Sequence, residues 1–200
     1  MKKLELGAAG NMDTWADFTK GVMETFNSKN KNEDVWYAGT KAKIETAEFA
    51  QHIVKHLHHG KNLNVDNLID EAGDVFYYLA LIQELDADGF YTGYRIPNRE
   101  LFDICSSAQL RYALFTDDDV RAKVEELLFK NKETFDVLVG IVSLLFWAKG
   151  KKSSGYSMMS DIALLRDICI ANKAKLMRRH GTAYNKDFYK KGAKVEAATN

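Results

Sequence analysis

Apolar residues recur at three- and four-residue spacing along most of the chain, as they do where a helix buries one stripe. No stretch shows the convincing two-residue alternation of a strand. The pattern predicts seven helices, over 13–27, 41–59, 66–86, 98–113, 117–130, 132–149 and 160–180. Pro97 is the only proline, so long stretches carry no helix breaker. Two polar runs, Asn27 to Asp34 (NSKNKNED) and Gly150 to Ser157 (GKKSSGYS), read as loops. The first ten residues and the tail after about 187 read as loose ends. The expected fold class is all-α.

The clearest local unit is 41–86. Gly60 suits the left-handed position just past a helix end, and Asn64 or Asp66 can cap the helix that follows. A connection this short makes the two helices antiparallel neighbours. Further on, Val137 to Ala148 (VLVGIVSLLFWA) is an apolar run of 12 residues, too short to span a bilayer and suited to a buried core helix.

Each helix of the 41–86 pair carries two acids three residues apart, Glu45 with Glu48 and Glu71 with Asp74. At about 100° per residue each pair shares a stripe. Glu45 and Glu48 border the apolar face of Phe49, Ala50, Ile53 and Leu57. Past Asp74 the chain reads VFYYLALI, apolar nearly all round, so Glu71 and Asp74 project from the edge of a core helix. Such pairs are ordinarily solvated surface. Four carboxylates meeting across an antiparallel pair would repel in a partly buried site, and a hard divalent cation offsets that. Oxygen-only ligands point to Mg²⁺, with Mn²⁺ as the other candidate. A di-iron bundle would need Glu-x-x-His repeats, and none occurs.

These segments carry a resemblance. I-E-T-A-E (44–48), H-H-G-K (58–61) and D-E-A-G-D-V-F-Y-Y-L (70–79) resemble the MazG-like family of all-α nucleoside triphosphate pyrophosphohydrolases. The family's E-x-x-E … E-x-x-D signature falls on Glu45, Glu48, Glu71 and Asp74. A third segment, A-N-K-A-K-L-M-R-R-H-G-T-A-Y (171–184), resembles its N-x-x-K-L-x-x-R motif. The resemblance covers roughly 41–86 and 161–184, more weakly a helix around Trp15 to Phe26. It implies a helical bundle with a four-helix core and a homodimer or homotetramer. It also implies hydrolysis of a (d)NTP to the monophosphate and pyrophosphate. The four acids would then be both the catalytic residues and the ligands of one or two Mg²⁺ ions. The chain reads as a single domain over 1–200. Residues 88–160 form a helical insertion between the acidic hairpin (41–86) and the Asn/Lys/Arg helix (160–180), a departure from compact family members.

Asn172, Lys175 and Arg179 share one helical stripe, whereas Arg178 turns away. Such a stripe can hold polyphosphate oxygens, Arg through paired donors and Lys as a point charge. It can equally complement the negative end of the last helix. Lys61, after the Gly60 turn, is a weaker substrate-binding candidate. His52, His56 and His59 continue the stripe of Glu45, which makes zinc conceivable but half-exposed surface the plainer reading. Trp15, Phe18, Trp36 and Tyr37 are candidates for stacking on a base, though buried aromatics are usually core. Inside the insertion, A-K-V-E-E-L-L-F (122–129) echoes A-K-I-E-T-A-E-F (42–49) and E-T-F-D-V (133–137) echoes E-A-G-D-V (71–75). That is either a decayed copy completing a four-helix arrangement or chance likeness between amphipathic helices.

Composition narrows the classes. Of 200 residues 46% are hydrophobic and 28% charged, which excludes wholesale disorder. The 28 Lys+Arg balance 28 Asp+Glu, so no global positive field gathers nucleic acid. Cys105 and Cys169 form no C-x-x-C pair or disulfide framework, which suits a reducing cytoplasmic setting. Glu5 interrupts any apolar signal segment after Lys2 and Lys3, and no membrane span is expected. Two readings compete with the general hydrolase: a dimeric-type dUTP or dCTP pyrophosphatase, and a helical regulatory module that binds metal and nucleotide without turnover.

Overall fold

The computed structural model describes residues 14–23, 25–26, 30–86, 104, 115–130, 134–150 and 158–180, with side chains in the last of these over 165–176. Six helices account for nearly all of them: α1 (Trp15–Met23), α2 (Lys31–His59), α3 (Val65–Leu85), α4 (Asp117–Phe129), α5 (Thr134–Gly150) and α6 (Met158–His180). No strand occurs among the described residues, and the fold is all-α. The helix expected over 98–113 lies outside them except for Ile104, which is buried. Cys105 also lies outside.

Two boundaries differ from expectation: α1, expected to run to 27, ends at Met23, and the start of α2 moves further. The run 27–34 reads as loop, yet α2 begins at Lys31, ten residues before the predicted start at 41. The cause is local. Asn30 is extended (φ −143°, ψ 106°) and its side chain accepts from the backbone N–H of Asn32 and Glu33. The Asp34 carboxylate in turn accepts from the Asn30 N–H at 3.2 Å. Glu33 and Asp34 in the first turn also favour the positive end of the helix. Val35, Ala38 and Ala42 then extend the buried stripe backward from Glu45.

The turn between α2 and α3 follows the sequence reading. Gly60 is left-handed (φ 64°), where a side chain would be strained, and its N–H reaches the His56 carbonyl. Asn64 caps α3 by accepting from Asp66 and Asn67. The two helices then pack along each other as the most extensive pair in the fold.

α3 is the central element, buried almost continuously from Ala72 to Ile82. It packs against α2, α5, α1 and α6. α4 bridges α2 and α5, so that α2, α3, α5 and α4 close a ring of four helices, with α1 and α6 against further faces of α3. α5 contains the 12-residue apolar run and is buried from Gly140 to Ala148. No helix among the described residues is long and apolar enough to cross a membrane.

The internal echo does not extend to the buried faces. Phe49 is fully buried, whereas its counterpart Phe129 is 81% exposed. Ile44 is largely exposed where Val124 is buried, and Glu45 is buried where Glu125 is exposed. The four-helix ring therefore arises from helices that present different registers. Trp15 and Phe18 are also fully buried, Trp15 donating to the Gln83 side chain at 2.7 Å. They are core residues and not a stacking surface.

Candidate functional site: an acidic cluster between α2, α3 and α6

α2 and α3 bring Glu45, Glu71 and Asp74 together, with one carboxylate oxygen from each within 4.8 Å of the others. Glu45 is buried; Glu71 and Asp74 are partly buried. Glu48 is not one of the three. It lies one turn along α2 with its side chain exposed, close enough for its charge to act on Glu71. Burial pushes Glu71 from its usual 4.5 to about 7, helped by the negative charges of Glu48, Asp74, Glu45 and Asp70 in that order.

The third side of the cluster comes from α6, about 100 residues away in sequence. The Asn172 amide donates to Asp74 Oδ1 at 2.8 Å, and Lys175 Nζ donates to Asp74 Oδ2 at 2.8 Å and to Asp70 Oδ1 at 3.1 Å. Burial alone would lower the Lys175 pKa. Its bonds and charge contacts with Asp74 and then Asp70 outweigh that and hold it above the usual lysine value. Asn172 is only 4% exposed, and its Oδ1 has no hydrogen-bond partner among the described residues.

Gly73 permits this close packing. A Cβ there would come within 3.2 Å of Asn172 Nδ2 and 3.3 Å of Asn172 Cβ, so the bare backbone of α3 lets α6 deliver its side chain beside Asp74. The sequence offers this glycine between the two acids of the second motif, where a helix interior ordinarily disfavours it.

Other predicted positions fall differently. Arg179 is on the last turn of α6, where its side chain lies outside the described residues. Lys61 is exposed in the α2–α3 turn and its carbonyl bonds His56 Nδ1 at 2.7 Å; no side-chain contact joins it to the cluster among the described residues. His52 stands beside the cluster, Nε2 3.9 Å from Glu71 Oε1, whereas His58 and His59 are exposed and pack on one another. Among the described residues no histidine joins a group spaced for a metal ion. Tyr37 meets Tyr78 edge to face at 6.0 Å. Trp36 instead lines a groove of about 700 Å³ between α2, α4 and α5, which none of the acids or cations of the cluster lines.

Lys41 lies outside the motifs yet reaches the site. Its ammonium lies 2.5 Å from Glu45 Oε1 and 5.6 Å from the centre of the Tyr78 ring. The available signal was its position one helical turn before Glu45.

The oxygens of Glu45, Glu71 and Asp74 are spaced so that the group could hold a metal ion. No protein-family model, no curated protein and no solved structure matches the chain.

Proposed function

We propose that the chain is a Mg²⁺-dependent nucleotide pyrophosphohydrolase that converts a (d)NTP to the monophosphate and pyrophosphate. The observation that carries this reading is the meeting of Asn172 and Lys175 with Asp74 at 2.8 Å, beside Glu45 and Glu71. Three short motifs, far apart in sequence, supply oxygen ligands and a cationic partner to one place. Reaction type and substrate class come from the MazG-like resemblance of the same motifs.

Glu45, Glu71 and Asp74 would hold the ion, with the Asn172 oxygen at their edge. Bound Mg²⁺ supplies charge neutralisation for the phosphates and a lower pKa for the attacking water. Lys175 and Asn172 orient anionic oxygens at Asp74, and Arg179 extends their stripe. Water adds to phosphorus, the bond to the bridging oxygen breaks, and pyrophosphate leaves. The proton of that water passes to a carboxylate. Glu48 and Asp70, the exposed acids beside the triad, belong with Glu45, Glu71 and Asp74 to the group that would take it. The same reading carries a homodimer or homotetramer and a cytoplasmic setting.

The test incubates the protein with each common NTP and dNTP, first with Mg²⁺ and then with chelator, and resolves the products. A folded Glu71→Ala/Asp74→Ala variant is the control. Monophosphate plus pyrophosphate, formed only with metal and intact acids, is the expected result, and the preferred base separates a general hydrolase from a dUTP- or dCTP-directed one. Metal and nucleotide binding without turnover sinks the enzyme reading and leaves the regulatory module.

A further inference from the structure

The groove between α2, α4 and α5 is a second concave site, separate from the acidic cluster. Its volume of about 700 Å³ suits a small molecule. Val35, Ile82 and Leu127, all nearly buried, give it apolar walls. Trp36 and Phe129 line it as well; both are exposed, and neither meets another aromatic ring among the described residues. Lys43 and Lys130 add two ammonium groups. Neither lysine is in an ion pair among the described residues, and no acid is among the residues that line the groove. In a chain whose charges balance, this is a local positive field over an apolar surface.

Gly39 is the second, independent observation. Glycine weakens a helix interior and ordinarily needs a packing reason. Gly21, Gly73 and Gly140 have one, since an added Cβ would come within 2.8 Å of Lys173, 3.2 Å of Asn172 and 2.9 Å of Leu127. Gly150 meets nothing but ends its helix. Gly39 lies well inside α2, and a Cβ there would also meet nothing within 4 Å. The space it leaves open belongs to the groove, on the stripe of α2 between Trp36 and Lys43, which stand two turns and about 10 Å apart.

We infer that this groove binds a small planar aromatic carboxylate, its ring against Trp36 and Phe129 over the gap at Gly39 and its anionic group at Lys43 and Lys130. Unpaired aromatic faces take a flat ring in stacked or edge-on contact. The two ammonium groups act as point charges, and no guanidinium among the described lining residues supplies the paired donors that favour a phosphate. The inference is independent of the hydrolase reading, because the groove shares no acid or cation with the cluster.

The probe is 2-naphthoate, with 2-naphthylmethanol as its neutral counterpart and AMP as an aromatic phosphate. Calorimetry measures binding. Iodide quenching locates it, since Trp36 is exposed whereas Trp15 and Trp147 are buried. Naphthoate should bind, shield the emission from iodide, and outbind the alcohol by a margin that shrinks as salt rises. Trp36→Leu and the double variant Lys43→Gln/Lys130→Gln should each weaken it roughly tenfold. Gly39→Leu fills the gap and should abolish binding while melting no lower than wild type, because leucine is the better helix former. Naphthoate that fails to bind wild type, or binds Gly39→Leu equally well, overturns the inference. So does AMP that binds there more tightly than naphthoate. Self-association that is lost in Gly39→Leu, with no naphthoate binding to wild type, gives the groove to a second copy of the chain and overturns it too.

Discussion

At the scale of single residues, Glu71 carries the sharpest electrostatic consequence. Its folded pKa of about 7 exceeds its ordinary 4.5, so between those values the folded chain binds protons that the unfolded chain releases. Its contribution to stability is neutral below about 4.5 and becomes a growing penalty as pH rises through about 7. Glu71→Gln removes that penalty. In metal-free buffer at pH 8 the variant should be more stable by on the order of 1 kcal/mol, discounted for the solvent-facing side of the carboxylate, and melt about 2–4 °C higher. The difference should vanish at pH 4. Thermal melts of both proteins across that range check it; a gap that persists at pH 4 would mean burial and not charge is responsible. Cys169 is the opposite kind of residue. Fully buried, its thiol pKa pushed up by that burial, it is a core side chain and no nucleophile.

At the scale of elements, the contact between α3 and α6 is the sensitive one. Gly73 leaves room for Asn172, and a branched side chain there must push it away from Asp74. Gly73→Val should cost roughly 1–3 kcal/mol as an overpacked contact. It should also weaken Mn²⁺ or nucleotide binding by more than an equally destabilising change remote from the cluster. Denaturant melts paired with Mn²⁺ titration separate the two effects, and unaltered binding would mean Asn172 serves packing alone. The start of α2 offers a second prediction. Asn30→Ala removes the side chain that accepts from Asn32 and Glu33 and should cost about 1 kcal/mol. Hydrogen exchange should rise over the first turn of α2 and not around Glu45, about four turns into the helix.

At the scale of the whole molecule, the cluster joins α2 and α3 to α6, about 100 residues away in sequence, so a ligand on it is linked to folding. A cation that binds only the folded chain adds about 2.7 kcal/mol at a hundredfold excess over its dissociation constant. For a protein of this size that raises the melting temperature by roughly 5–10 °C. The gain should grow between pH 5 and 8, because Glu71 must lose its proton to serve as a ligand. Chelator should abolish it, and so should Glu71→Ala/Asp74→Ala. Scanning fluorimetry with and without Mg²⁺ reads this directly, and a melting temperature indifferent to Mg²⁺ at pH 8 would remove the metal site.

The amino-acid order carried those features whose physics acts within one or two helical turns. The three- and four-residue spacing marked α3 and α5 as helices, Gly60 and Asn64 announced their turn and cap, and the i, i+3 acids announced two stripes. The start of α2 is hard to read because its first turn, Lys31 to Asp34, is wholly polar and is held by the cap chemistry of Asn30, although Val35, Ala38 and Ala42 already carry the apolar spacing. Glu45 and Glu48 look alike in such a reading, since both border the apolar face. Only the position of α3 buries the first and leaves the second exposed. Trp15 and Trp36 part in the same way, one fully buried under α3 and the other 71% exposed. The bonds from Asn172 and Lys175 to Asp74 span 98 and 101 residues, and no local pattern encodes a distance between helices. That distance is set by how side chains from remote segments fill the space between axes, here by a glycine at Gly73 that admits one asparagine.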